Sequence, residues 1–197
     1  MFERFLENSI NSEKVKDITD VNINQYKKNA PDSLINLWEE AGFGIYCDGL
    51  FRIIPPSDYQ DIVDNIYDRD YNIASIPFLT TAFGDIFAYI KNEQFGNHVV
   101  FFNMRYGTYQ IFTDNLNLLF NVFLLKVDSL EFRYKLGLYQ QVKKMLGIPK
   151  YDECYAYVPA LVLGGEDKVK NIQITKALPY IDIITQSIDE FKRFEAR

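Results

Sequence analysis

The sequence predicts an α+β fold, an antiparallel β-meander sheet flanked by α-helices. Two observations carry that prediction. Between Ile76 and Phe112, short runs of β-branched and aromatic residues stand between Gly, Asn and Asp breaks, the pattern of consecutive strands joined by tight turns. On both sides of this stretch, apolar residues recur at the three- and four-residue spacing of helices. With 197 residues, 48% of them hydrophobic, the chain can bury a substantial core. It is expected to form one domain over residues 1–197, any subdivision falling near residues 114–128.

The elements follow in order. Residues 1–30 are polar; Phe2, Phe5 and Leu6 suit a short amphipathic turn, and Val21-Asn-Ile23 a short extended piece. Pro31 at a first helical position and Asp32 in the first turn open a helix. Leu34, Ile35, Leu37, Trp38 and Ala41 give it a broad apolar face, and Gly42 ends it. Asp48-Gly49 between Phe43–Cys47 and Leu50–Ile54 marks a hairpin. Ser57 is placed to cap a second helix reaching about Asp68, with Tyr59, Ile62, Val63, Ile66 and Tyr67 on its inner face. Asp58, Asp61, Asp64 and Asp68 fall on the other face, and Asp70 extends the patch. That stripe reads either as a solvated face or as an acidic edge for a basic partner.

Within the meander, Pro77 suggests a strand start or an edge, and Phe83-Gly84-Asp85 a bend or bulge. Asp114 or Asn115 can cap an almost wholly apolar helix over Leu116–Val127. Asp128-Ser129 breaks it, and an amphipathic helix is expected over Leu130–Leu146, with Phe132, Leu136, Tyr139, Val142 and Leu146 inward. The aromatic run from Tyr151 to Val158, an extended Val169–Thr175 and a last helix from Tyr180 to about Phe194 complete the chain.

The chemistry is sparse. A net charge of −6 argues against general nucleic-acid binding and is compatible with a basic protein partner. No apolar run approaches a membrane span, and the start lacks the order of a secretory signal, which places the chain in the cytoplasm. Cys47 and Cys154 read as reduced thiols. His98 is the only histidine, so a metal site would have to join it to those two distant cysteines, and a nucleophilic site would need one of them beside it. The residues therefore offer no catalytic set, cofactor motif or metal motif. Gly164-Gly165 lacks phosphate-loop spacing and is followed by Glu166-Asp167, which would repel phosphate.

One run is more telling. Tyr155-Ala-Tyr-Val-Pro-Ala-Leu-Val-Leu-Gly-Gly165, followed by Asn171-Ile172 and an Ile-rich helix, resembles the end of the GAD-like family and its companion C-terminal domain, found in immunity proteins of type VI secretion DNase toxins. The spacing Pro31, Leu37-Trp38, Gly42-Phe-Gly44, Gly49-Leu50 and Pro55 is similar to that family, as is Phe83-Gly84-Asp85. The Trp and Gly-x-Gly spacing also resembles the SMI1/KNR4-like immunity superfamily. The resemblance implies a non-enzymatic cytoplasmic antidote that binds and blocks a cognate secreted toxin, a nuclease with a basic surface. The carboxylates at Asp58, Asp61, Asp64, Asp68 and Asp70, read from the helix pattern, are the expected partner-binding residues. Two rivals stand beside it: a non-catalytic small-molecule or peptide binding module, and an enzyme with dispersed carboxylate or Cys/His chemistry.

Overall fold

The structure, a computed structural model, describes residues 2–67 and 74–194. Seven strands lie side by side in chain order, each antiparallel to the next: β1 (Glu13–Lys16), β2 (Phe43–Tyr46), β3 (Phe51–Ile53), β4 (Ala74–Thr81), β5 (Ile86–Lys91), β6 (His98–Asn103) and β7 (Thr108–Ile111). Strands β8 (Glu153–Tyr157) and β9 (Ile172–Lys176) form a separate antiparallel ribbon. β10 (Lys192–Arg193) adds to the open edge of β7 in parallel. The helices are α1 (Glu3–Glu7), α2 (Asp32–Ala41), α3 (Pro56–Ile66), α4 (Leu116–Leu118), α5 (Val127–Tyr134), α6 (Leu136–Leu146) and α7 (Ala177–Gln186).

Both faces of the sheet's central strands are covered. Successive side chains on a strand point to opposite faces, and here both sets are buried. Phe87, Tyr89, Val99 and Phe101 join one core with Trp38 of α2, Phe120, Tyr134 of α5 and Tyr139 of α6. Ile86, Ala88, Ile90, Val100 and Phe102 join a second core with Val63 of α3, Ile181 and Ile184 of α7, and Phe191. Two-sided burial is why these antiparallel strands read as almost continuous apolar runs, without polar alternation. In the first core Phe87 packs on Phe101, ring centroids 4.7 Å apart, and Phe101 meets Tyr134 edge-on at 5.4 Å.

Several expectations are corrected by the backbone. α3 begins at Pro56 with Pro55 as its cap residue, so Ser57 lies inside the first turn and bonds Asp58 instead. Pro77 sits in an interior strand, at a shift in register against β5 that accommodates its missing N–H. Asn115 does cap the next helix, accepting from Leu118 N, but α4 lasts one turn and passes into a π turn over Leu119–Phe123. The expected Leu130–Leu146 helix is two. Lys135 takes a left-handed conformation between them, and Glu131 caps α6 by accepting from Gly137 N at 2.8 Å. Asp128 and Ser129 lie in the first turn of α5, and Phe132 points outward. The final helix stops at Gln186. Phe191 keeps the apolar spacing because the chain folds back onto Phe102, not because the helix continues. Residues 18–20 form a 3-10 turn, and the extended piece near the start is β1 instead.

The run Val158–Gly165 is a turn that starts with a cis Val158–Pro159 bond, makes one 3-10 turn at Leu161–Leu163, and ends on a left-handed Gly164. A side chain at Gly165 would collide with the Pro159 carbonyl, 2.0 Å from where its Cβ would stand. The loop beyond is held by Asp167, which accepts from Tyr106 Oη at 3.0 Å and Tyr157 Oη at 2.5 Å.

Among the described residues two arginines are buried. Arg105 donates to Asp85 at 2.8 Å, and both side chains are excluded from solvent. Asp85 also accepts from Thr81 Oγ1 and Met104 N, and the guanidinium lies 4.5 Å from the Phe83 ring centroid. The Phe83-Gly84-Asp85 bend thus delivers a carboxylate to the core. Arg52 instead donates to two carbonyls, Gly49 at 2.8 Å and Pro149 at 3.1 Å, fastening the β2–β3 turn to the segment after α6. Tyr139 Oη donates to the Asp48 carbonyl and Lys143 pairs with the Asp48 carboxylate, closing the same clasp.

Candidate partner-binding groove

α3 and α7 pack side by side over the second core, through Val63 on one and Ile181 and Ile184 on the other. Beyond their C-terminal ends a groove of about 880 Å³ opens toward β6 and β7. Its carboxylates are Asp64 from α3, Asp182 from α7, and Asp189 and Glu190 from the return after α7. Among the described residues no lysine or arginine lines it. Aromatic side chains supply much of the remaining wall: Tyr67 at the end of α3, Tyr109 on β7, and Phe95 and His98 around the β5–β6 turn. Phe95 is 69% exposed, an apolar ring held out at the rim.

His98 opens β6, as a strand-end histidine hydrogen-bonded at both nitrogens. Nδ1 lies 2.9 Å from the Gly96 carbonyl, which can only accept. In the neutral ring that puts the proton on Nδ1 and leaves Nε2 to accept from Tyr67 Oη at 3.2 Å. Tyr67 is further fixed edge-on against Phe102 and Tyr109. The aromatic wall is therefore oriented before any partner arrives. Asp64 is oriented too: its carboxylate accepts from Ser75 Oγ at 2.7 Å and Gln60 Nε2 at 2.8 Å. Asp182 accepts from Gln186 Nε2.

Such a surface suits cations. Like charges gathered round a concavity give a negative field that falls off over about 8 Å at physiological salt. Tyr faces within about 6 Å of a guanidinium or ammonium add a cation–π attraction.

The acidic stripe read from α3 is divided by the fold. Asp64 lines the groove. Asp61 is exposed on the outer face of the helix. Asp58 lies at the opposite end, 4.0 Å from Lys16 Nζ and on the rim of a smaller cavity. Asp68 and Asp70 lie outside the described residues. The other groove acids, Asp182, Asp189 and Glu190, lie more than a hundred residues from Asp64 in sequence, and only the outward face of the last helix hinted at them.

The sequence candidates for metal or nucleophile chemistry have different neighbours. Cys47 contacts Ser9 Oγ, Cys154 is buried against Gly84 in the second core, and His98 is in the groove. Burial pushes the Cys47 thiol up to about 11 and the Cys154 thiol up to about 12, so both hold their protons at neutral pH. Among the described residues no group of three or more His, Cys, Asp or Glu side chains is arranged to hold a metal ion. Nor is any helix among them long and apolar enough to cross a membrane.

A mixed α+β protein with a two-sided sheet and an acidic groove is the class defined so far. The chain belongs to the GAD-like family, whose domain model matches residues 1–103. Residues 118–187 match a second model, the C-terminal domain of the type VI secretion immunity protein Tdi1. The first match spans α1 to β6 and the second runs from the end of α4 through α7. No curated protein matches the chain. The crystal structure of Atu4351 from Agrobacterium tumefaciens superposes with a TM-score of 0.67 at 21% identity, over 94% of this chain and 89% of that one, which shows a shared fold.

Proposed function

We propose that this chain is an immunity protein that binds a cognate secreted toxin stoichiometrically and covers its active cleft, the toxin being a nuclease. The observation that carries the reading is the groove beside α3 and α7, with four carboxylates and no cation among its described lining. A nuclease must attract phosphates and so presents a basic cleft. An antidote that offers carboxylates on a rigid scaffold competes for the same cations. The match to an immunity-protein domain over residues 118–187 supports the same role, and three of the four groove acids belong to that match or lie just past its end. The partner is thus a basic protein, and neither nucleic acid nor membrane is called for. The inhibitor acts in the cytoplasm by occlusion, without chemistry of its own, and needs no cofactor.

Co-expression with the product of the adjacent upstream gene tests the pairing. Rescue of the host together with co-purification of the two proteins is the expected result. Continued toxicity with no co-purification would contradict the pairing.

A further inference from the structure

At the other end of the α3–α7 pair lies a separate cavity of about 320 Å³. Five of its nine lining residues are apolar or aromatic, Ile54, Tyr59, Tyr151, Leu178 and Pro179, and the other four are charged. Tyr59 is 6% exposed, and its hydroxyl has no hydrogen-bond partner among the described residues. A buried phenol ordinarily finds one, and here the cavity is the open direction. Tyr151 differs, donating to the Ile53 carbonyl at 3.0 Å. The rim carries two opposite-charge pairs, Lys176 with Asp152 at 2.5 Å and Lys16 with Asp58 at 4.0 Å. Charge is thus balanced at this end of the helix pair, unlike the groove.

An apolar chamber with a neutral rim and one unused donor suits a neutral occupant that brings an acceptor. Its volume stands at the bottom of the range for ligand sites, about 300–1,000 Å³, and so fits one side chain better than an extended small molecule. Along α3, Tyr59 and the groove-lining Ile66 are seven residues apart, roughly 10 Å, which an extended segment of about three residues spans. We propose that this cavity is an anchor pocket for one apolar side chain of the bound partner, entering with a backbone carbonyl that accepts from Tyr59 Oη. The partner's identity rests on the immunity reading above. The pocket's chemistry does not.

The test uses the full chain and defined probes: N-acetyl-L-leucinamide and N-acetyl-L-phenylalaninamide, with N-acetylglycinamide and free leucine as controls, followed by NMR shifts of the Leu178 methyls and the Tyr59 ring. Saturable shifts are expected for the two capped apolar amides below about 10 mM, with none for the glycine amide. Tyr59→Phe, which leaves the ring in place, should weaken the capped amides by about three- to tenfold. Leu178→Arg, at a wall position that is 39% exposed, should abolish the shift of the Tyr59 ring. No saturable shift with either capped amide, or binding by free leucine alone, overturns the proposal, the second outcome indicating a free amino-acid site instead. Since no toxin enters this experiment, its failure leaves the groove to be judged separately by charge reversal at Asp182 and Asp189.

Discussion

Replacing Asp85 by alanine removes the carboxylate that pairs with the buried Arg105 guanidinium. Asp85 and Arg105 are respectively 0% and 1% exposed, so water cannot take over the lost contact. Removing one partner of such a pair costs about 3–5 kcal/mol, because the other charge is left buried and unpaired. A domain of this kind has only about 5–15 kcal/mol in total, so Asp85→Ala should remove roughly a fifth or more of the stability. At about 2–4 °C per kcal/mol for a chain of this size, Tm should fall by roughly 6–20 °C. The decisive comparison is the double variant Asp85→Ala/Arg105→Met. Methionine keeps an apolar stem beside Phe83 and removes the stranded charge, so the double variant should be more stable than Asp85→Ala alone by about 1–3 kcal/mol. Urea unfolding read by circular dichroism measures both. A loss below about 1 kcal/mol for the single variant, or no recovery in the double, would refute the ion pair as a mainstay of this core.

Gly49→Ala should be far more damaging than Gly96→Ala, although both glycines have positive φ. At Gly49 the new Cβ would stand 2.5 Å from Ile148 Cγ2 and 2.8 Å from Tyr139 Oη, whereas nothing lies within 4 Å at Gly96. About 2–5 kcal/mol against about 1–2 is expected from urea midpoints, and equal losses would contradict the clasp between the turn and α6. The pH response of Asp48 follows from its surroundings. Burial pushes its carboxyl up, but hydrogen bonds from Asn11 and Lys143 outweigh that and hold it below its usual value. Its stabilisation is therefore present above the unfolded value of 3.8 and is lost as pH falls through the folded one. Since the side chain is 38% exposed the effect is at most about 1 kcal/mol, seen as a stability gap between wild type and Asp48→Asn at pH 6 that closes in acid. Neither cysteine should react with a thiol reagent in the native protein, and both should react in denaturant; a fast native phase would contradict the raised thiols.

The meander was legible because each strand carries its own signal, β-branched and aromatic residues between turn formers, and its partner is the next strand along. The helical faces around Trp38 and Val63 were legible for the same local reason. What escaped depends on distant partners. β1 reads Glu-Lys-Val-Lys and is exposed at every position, so no apolar pattern marks it; only pairing with β2 makes it a strand. β10 likewise exists only because the chain after α7 returns to β7. The break at Lys135 puts a non-glycine residue in a left-handed conformation, which no local rule favours. The same limit applies to the surface. The α3 carboxylates were visible as a stripe, but the fold sends Asp58 and Asp64 to different cavities and brings Asp182, Asp189 and Glu190 to meet Asp64. An acidic chain has many carboxylates, and spacing along one helix cannot tell which will share a groove with another.

On the proposed function, the acidic groove receives the toxin. Isothermal titration of the toxin against the wild-type chain and against Asp182→Lys/Asp189→Lys tests it most directly, with thermal melts to establish that the exposed substitutions leave the fold intact. Two reversals within a complementary interface should weaken binding by about a hundredfold or more, with a smaller loss at high salt. Unchanged affinity in a folded variant would remove the groove from the interface.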